Sequence, residues 1–319
     1  MRDIGDGLCF TITHGNHRDL TVDFGGNKEI EWGCHFEDDF LLSHFHCDHY
    51  NGFLKSNHFF YNLTNFYYPI MPSFAESKTL YLSIISMNLR ISKKFPIQDS
   101  VFSIVSRLNI RPLNFIPISK GDVFISGGKK YEVLWPPKIL EQEETLSEIR
   151  SAIKDFNDAR DADPILNDIY NRINERHEQQ DNNDIDFLRL NFSDIVIPEE
   201  LNEIVKSAND SLKRAANRLS IAFRQDDNIL FLGDLKEKEI NVVVNELLQN
   251  LNSTYDILIS AHHGTHWGSS LRGVSANICL ASVDKLKGYI DYQYIGISDK
   301  FIRTDEWGNV TIKQKLKIS

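Results

Sequence analysis

Ser43-His44-Phe45-His46-Cys47-Asp48-His49-Tyr50-Asn51-Gly52 places three histidines and an aspartate within six consecutive positions. Imidazole and carboxylate ligands suit zinc, iron or manganese, and a compact loop can aim alternate side chains at two adjacent ions. The stretch follows the short apolar run Asp39-Phe40-Leu41-Leu42-Ser43, so the ligands sit just past a strand end, where a rigid scaffold holds chemistry best. A chance surface run of histidines is the plain alternative. The spacing, the preceding strand and the closing glycine speak against it.

Upstream of this segment, Leu8-Cys9-Phe10-Thr11-Ile12-Thr13 and Asp19-Leu20-Thr21-Val22-Asp23-Phe24 read as strands, the second ended by Gly25-Gly26. Downstream, residues 53–120 are aromatic-rich, with a helix from Leu80 to Leu108 in two pieces broken near Pro96. Val123-Phe124-Ile125 and Tyr131-Glu132-Val133-Leu134-Trp135 resume strand character. Residues 138–216 read as helices: Leu146, Ile149, Ile153 and Phe156 share one face, and Leu201, Ile204, Val205, Ala208 and Leu212 share another. Pro164 separates helices here, and Gln179 to Asp184 is a polar loop.

Strands return with Leu219-Ser220-Ile221-Ala222-Phe223 and Asn228-Ile229-Leu230-Phe231-Leu232, joined by the turn Gln225-Asp226-Asp227. Gly233-Asp234 ends the second, a helix runs from about Lys236 to Leu251, and Tyr255-Asp256-Ile257-Leu258-Ile259-Ser260 leads into His262-His263-Gly264. A closing hairpin is expected between residues 301–305 and 309–312 across Glu306-Trp307-Gly308. The expected organisation is an α/β fold in which 1–137 and 217–319 form the two halves of one domain, with 138–216 an acidic helical insertion.

The composition bounds the function. The chain has 319 residues, 41% hydrophobic, enough for a large core. No apolar stretch reaches the roughly 20 residues that span a bilayer, so no membrane association and a cytoplasmic location are expected. Four scattered cysteines without a CxxC pair speak against a zinc ribbon or a disulfide framework and for reduced, mostly buried thiols. Net charge is −10, and the stretch from Lys138 to Arg189 alone has 14 acidic and 7 basic side chains. That surplus reads as a solvated helical face or as a surface for a protein partner. An acidic protein binds nucleic acid poorly except through a local basic cleft or bound metals. Arg90, Lys93 and Lys94, near Tyr67 and Tyr68, could form such a grip or simply belong to a core and its solvated corner.

The HxHxDH segment resembles the metal-binding signature of the metallo-β-lactamase superfamily. Within it, the chain is most similar to the hydrolase domain of the ComEC competence proteins and their stand-alone relatives. Asp3-Ile4-Gly5-Asp6-Gly7 resembles that group's opening DVGQG, and Thr21-Val22-Asp23-Phe24-Gly25 its strand ending in Asp-x-Gly. Val133-Leu134-Trp135-Pro136, Asn217-Arg218-Leu219-Ser220 with Phe231-Leu232-Gly233-Asp234, Ser260-Ala261-His262-His263-Gly264-Thr265, and Arg303-Thr304-Asp305 with Gly308 continue the likeness. Residues 138–216 and part of 55–120 fall outside it. The resemblance implies an αββα sandwich carrying the helical insertion.

It also implies roles. His44 and His46 would hold a first divalent ion, Asp48 and His49 a second, and Asp234 would bridge them. One of His262 and His263 would complete the second ion, His263 being favoured because Gly264 lets backbone come close. Asp23 would hold the histidine loop, or merely cap a turn before Gly25. The group usually supplies a third histidine to the first ion, yet no histidine lies between His58 and His177, and the Asn-x-His-Pro stretch before the final hairpin is missing. One ion or two are therefore expected, zinc ahead of manganese. A bound ion brings the pKa of coordinated water from about 15.7 towards 7. Asp48 would orient that water and take its proton, while His262 or His266 would protonate the leaving group; a solvent-loop position is the other reading of His266. The implied activity is phosphodiester hydrolysis, on DNA or RNA first and on a small phosphodiester second. Other esters, or a regulatory metal-binding subunit docking through the acidic helices, are alternatives.

Overall fold

A computed structural model describes residues 1–13, 19–26, 28, 37–55, 61–91, 101–179, 200–226, 228–250 and 253–313. Two mixed β-sheets face each other. The first contains β1 (Leu8–Ile12), β2 (Leu20–Gly25), β3 (Glu37–Leu41), β4 (Asn62–Pro69) and β5 (Asn114–Ile118), side by side in chain order. Strands β1 and β2 are antiparallel, and β2 through β5 are parallel. The second sheet contains β6 (Val123–Ser126), β7 (Lys129–Trp135), β8 (Ala222–Gln225), β9 (Ile229–Phe231), β10 (Thr254–Ile259), β11 (Ser275–Ala281) and β12 (Ser298–Arg303). Its order is β12-β11-β10-β9-β8-β7-β6, antiparallel from β6 to β9 and parallel from β9 to β12.

Strand alternation explains the layers. Because successive side chains point to opposite faces, Ile229, Phe231, Ile259 and Leu280 turn inward, where they meet Leu8, Phe10, Leu41 and Tyr67 of the first sheet. Their neighbours Leu230, Leu258 and Cys279 face the other way. There they join Ile240, Val243, Val244 and Leu247 of the helix α7 (Glu237–Asn250). On the first sheet's outer face, α1 (Asn51–Lys55) sets Phe53 against Phe24 and Phe40, and α3 (Val101–Leu108) sets Phe102 against Phe66 and Phe115. Each large apolar side chain buried this way is worth about 1.5–3 kcal/mol. The result is an α/β architecture compatible with a sandwich.

The remaining helices are α2 (Ser77–Ile91), α4 (Glu143–Ala162), α5 (Pro164–Gln179), α6 (Glu203–Asn217) and the single turn α8 (Thr304–Trp307). Helix α4 packs along α6, and α5 along α2. Leu146, Ile149, Ile153 and Phe156 of α4 are buried, as are Val205, Ala208 and Leu212 of α6, but Ile204 is exposed rather than on the packed face. Glu148 of α4 fastens this layer to the sheets by pairing with Arg218 and, at 2.9 Å, with Lys236.

Four expectations need correction or completion. Residues 309–313 form no strand; β12 instead lies parallel to β11, and Val310 exchanges backbone hydrogen bonds of 2.9 Å with Met1. Strands β4, β5 and β11 were not legible from periodicity. Arg90 is no phosphate grip: it is buried and donates to Asp163 at 2.9 Å, while Tyr67 is a core residue. Lys93, Lys94, the break near Pro96, Asp227, His58 and the loop from 180 onward lie outside the described residues.

Candidate metal centre

All the strands that carry candidate ligands run towards one edge of the sandwich. There β3 opens into His44 to His49, β9 into Gly233-Asp234 and β10 into His262-His263. The histidine loop is shaped from beneath by Asp23 in β2. This residue is fully buried and has a left-handed backbone, with φ of 55°. Asp23 Oδ1 accepts the Ser43 backbone N–H at 2.7 Å, and Oδ2 accepts the Ser43 hydroxyl at 2.6 Å. The ring of His49 reaches the same oxygen through Nδ1 at 2.7 Å. Gly25 lets the loop lie this close, because a Cβ there would stand 2.2 Å from the Asp48 carbonyl oxygen.

These hydrogen bonds decide tautomers. A carboxylate can only accept, so His49 Nδ1 carries the proton and Nε2 presents a lone pair. The Ser43 hydroxyl proton is committed to Asp23, so its oxygen accepts from His44 Nδ1, 3.1 Å away, and His44 Nε2 is likewise left as a lone pair. Ser220 Oγ stands 3.4 Å from the same His44 nitrogen and accepts the Asp234 backbone N–H at 3.0 Å. Thr265 gives its hydroxyl proton to the His262 carbonyl at 2.7 Å, so it accepts from His262 Nδ1 at 2.6 Å. His262 Nε2 is thereby the basic nitrogen too.

The lone pairs converge. Asp234 Oδ2 lies 3.3 Å from His49 Nε2 and 3.8 Å from Nε2 of both His262 and His263. His49 Nε2 is 3.9 Å from Asp48 Oδ1, and Asp48 also pairs with His46 Nδ1. His44, His46 and His49 offer ligand atoms within 4.8 Å of one another, as do Asp48, His49 and His263. Among the described residues, His44 Nε2, His49 Nε2 and His263 Nδ1 are buried without a hydrogen-bond partner. Buried polar atoms are normally satisfied, so these orphaned nitrogens, in the two groups that also include His46 and Asp48, could hold a metal ion.

The local backbone is bent to this end. His262 and His263 have φ of 45° and 60°, and Gly264 has φ of 86°, three left-handed residues in succession. Each non-glycine residue so held costs on the order of 1–3 kcal/mol, a cost typical of functional sites. The turn is pinned by His262 N–H donating to the Gly233 carbonyl at 3.0 Å, and Gly233 itself leaves no room for a Cβ, which would meet Ser220 Oγ at 2.3 Å.

Electrostatics favour positive charge between these groups. Burial opposes ionisation of His49, but Asp234 and Asp23 outweigh it and hold its pKa well above the usual imidazole value. Burial likewise works against the Asp234 carboxylate, yet His49, His263 and His262 keep it well below the usual range. A proton on His49 or a cation beside Asp234 would offset the same negative charge, so these groups could hold a metal ion. Burial, with the neighbouring His49, drives His44 well below its ordinary value, and burial takes His262 down to about 3.

Every proposed ligand, His44, His46, Asp48, His49, Asp234 and His263, is thus gathered at one edge. His266 stacks on His262 with ring centroids 4.1 Å apart and donates Nδ1–H to the Leu235 carbonyl at 2.9 Å, so it belongs to the pocket wall rather than to a solvent loop. The positioning roles of Ser43, Ser220 and Thr265 were missed, although all three sit within the motifs that carry the ligands. So was Asp6, whose carboxylate accepts the backbone N–H groups of Asp284, Lys285 and Leu286 at 2.8–3.0 Å and ties the opening loop to the segment after β11. Buried His and Asp groups here can hold a metal ion. Among the described residues, no helix is long and apolar enough to cross a membrane. No family model and no curated protein matches the chain.

Proposed function

We propose that the chain is a metal-dependent hydrolase of the metallo-β-lactamase type, acting on phosphodiesters, with nucleic acid ahead of a small phosphodiester. The observation that carries this reading is the set of imidazoles whose Nδ1 protons are consumed by Asp23, Ser43 and Thr265, leaving the Nε2 lone pairs of His49 and His262 towards Asp234 and that of His44 free beside His46 and His49. Orienting carboxylates and hydroxyls of this kind are the usual outer support of metal-ligating histidines. His44 and His46 would hold one ion, and Asp48, His49 and His263 a second, with Asp234 between them. The mixed imidazole and carboxylate set suits zinc first and manganese second.

A divalent ion so held supplies a lowered pKa for coordinated water and stabilisation of charge developing on the substrate. The protein's own residues do the rest. Asp48 is held ionised: burial opposes this, but His46 beside it keeps its carboxyl far below the usual range. It serves as ligand and orienting group rather than as a strong base. His262, one quarter exposed and neutral at ordinary pH, presents a basic nitrogen at the mouth of the pocket. With its pKa that low it accepts a hydrogen bond and orients water or substrate rather than carrying a proton. Burial also keeps His266 low, and its stacked ring holds His262 in place.

The test is cleavage of labelled single- and double-stranded DNA, RNA and cyclic nucleotides with zinc or manganese, beside Asp48→Ala. Cleavage abolished by the substitution supports a phosphodiesterase and sorts its substrate by size. Metal-loaded protein that cleaves nothing in the panel counts against the reading.

A further inference from the structure

We infer that Asn88, in the last turn of helix α2, is the positioning residue for His46, holding the metal loop from the helical side. The inference rests on the metal-centre reading of that loop and deepens it by naming what seats one of its ligands. His44, His49 and His262 each have Nδ1 bonded to a hydroxyl or carboxylate outside the ligand set. His46 does not: among the described residues the hydrogen-bonding partner of its ring is Asp48, itself a candidate ligand. Its orientation has to come through its backbone.

That backbone is gripped one residue upstream. Asn88 Nδ2 donates to the Phe45 carbonyl at 2.8 Å. The same amide stands beside the Tyr50 hydroxyl, just past the far end of the loop. The Phe45 carbonyl and the His46 nitrogen share one planar peptide, so fixing that oxygen fixes the plane from which the His46 side chain departs. His46 is extended, with φ of −92° and ψ of 139°, and successive side chains of an extended chain point to opposite sides. The buried Phe45 ring accordingly lies against Tyr81 of the same helix, with centroids 5.7 Å apart, and against Phe102 of α3 at 6.0 Å. The His44 and His46 rings stack on each other, 5.9 Å apart. Ring packing sets where Phe45 sits; the Asn88 bond sets how its peptide is turned.

The helix is a firm anchor for this contact. Two residues beyond Asn88, the buried Arg90 donates to Asp163 Oδ2 at 2.9 Å. Oδ1 of Asp163 accepts the Ile165 and Leu166 N–H groups at the start of α5, both at 3.0 Å. The helical insertion thereby fixes the end of α2, and Asn88 passes that constraint to the metal loop. Asparagine is a poor helix former, so its place inside α2 is explained by the bond to Phe45 and not by propensity.

The test compares Asn88→Asp and Asn88→Ala with wild type and with Ser86→Ala, a neighbour on α2 whose hydroxyl donates to the Leu82 carbonyl of its own helix at 2.7 Å. Aspartate keeps the shape, but as a carboxylate it cannot donate to the Phe45 carbonyl. Being isosteric, it also covers the case in which the alanine variant fails to fold. On metal-free protein, histidine-selective nitrogen–proton NMR should show the His46 ring signals shifted or broadened in the Asn88 variants, with those of His262 unmoved. Cobalt(II) titration followed by visible absorption should show altered d–d bands and an affinity lower by roughly tenfold, the low end for outer partners of metal ligands. Ser86→Ala should match wild type in both readouts. His46 signals that stay in place, or that move equally in Ser86→Ala, overturn the assignment. So does an unchanged cobalt spectrum and affinity in the Asn88 variants, while cobalt binding by wild type leaves the metal centre standing. His46 signals that move although wild type binds no cobalt support the hold of Asn88 on His46 and sink the metal centre alone.

Discussion

Asp23 and His49 are joined by a 2.7 Å hydrogen bond at the bottom of the pocket, both side chains fully buried. Among the described residues, one carboxylate thereby sets the tautomer of the imidazole shared by the two candidate ligand groups.

Replacing Asp23 by Asn isolates this effect, because asparagine tolerates the left-handed backbone that Asp23 adopts. The amide keeps the shape but removes the charge that holds the proton on Nδ1. Zinc affinity should fall about 10- to 100-fold, measured by isothermal titration calorimetry. Unchanged affinity would reduce Asp23 to a turn residue.

Gly25→Ala tests how tightly the histidine loop is seated. The added carbon would overlap the Asp48 carbonyl oxygen, which is backbone and cannot swing away. Overpacking of this kind costs about 1–3 kcal/mol, so thermal unfolding should shift down by several degrees. The variant should also lose metal binding, since Asp48 must move.

The site was more legible than the frame around it. His44 to His49 are neighbours in sequence, so the ligand spacing could be read directly, and Asp234 and His263 each follow an apolar strand. Strand β4 was not readable: it is central and partly buried on both faces, and Asn65 within it is polar because it donates to Asp39 of the neighbouring strand. The expected terminal hairpin failed because Val310 finds Met1, at the other end of the chain. Arg90 resembled a surface cation until Asp163, 73 residues away, was brought against it. Pairings of that range leave no local pattern.

Acid should loosen the helical layer. Arg218, against the modest penalty of burial and with help from Lys236, lowers the Glu148 carboxyl from 4.5 to about 2. A depressed acid stabilises the folded state above its unfolded pKa, and that contribution is lost as pH falls from about 4.5 towards 2. Glu148→Gln should therefore be less stable at neutral pH and lose less on acidification, as read from urea midpoints between pH 6 and 2. The effect should be small, because Glu148 is partly exposed. Parallel curves for the two proteins would remove Glu148 from the account.

Trp135→Phe probes the joint between β7 and the site. The indole N–H donates to the Arg218 carbonyl at 2.7 Å in a buried position. Phenylalanine leaves that carbonyl without its partner, at a cost of about 1–3 kcal/mol. Chemical denaturation should show that loss with little change in slope; no loss would mean water replaces the indole.

The account stands or falls on whether the gathered imidazoles and carboxylates bind a metal. The direct measurement is zinc bound per chain after equilibrium dialysis, for wild type, Asp234→Ala and His263→Ala. One or two ions should remain on wild type, and fewer on both variants. Wild type retaining no more zinc than the variants would contradict the metal centre and everything derived from it.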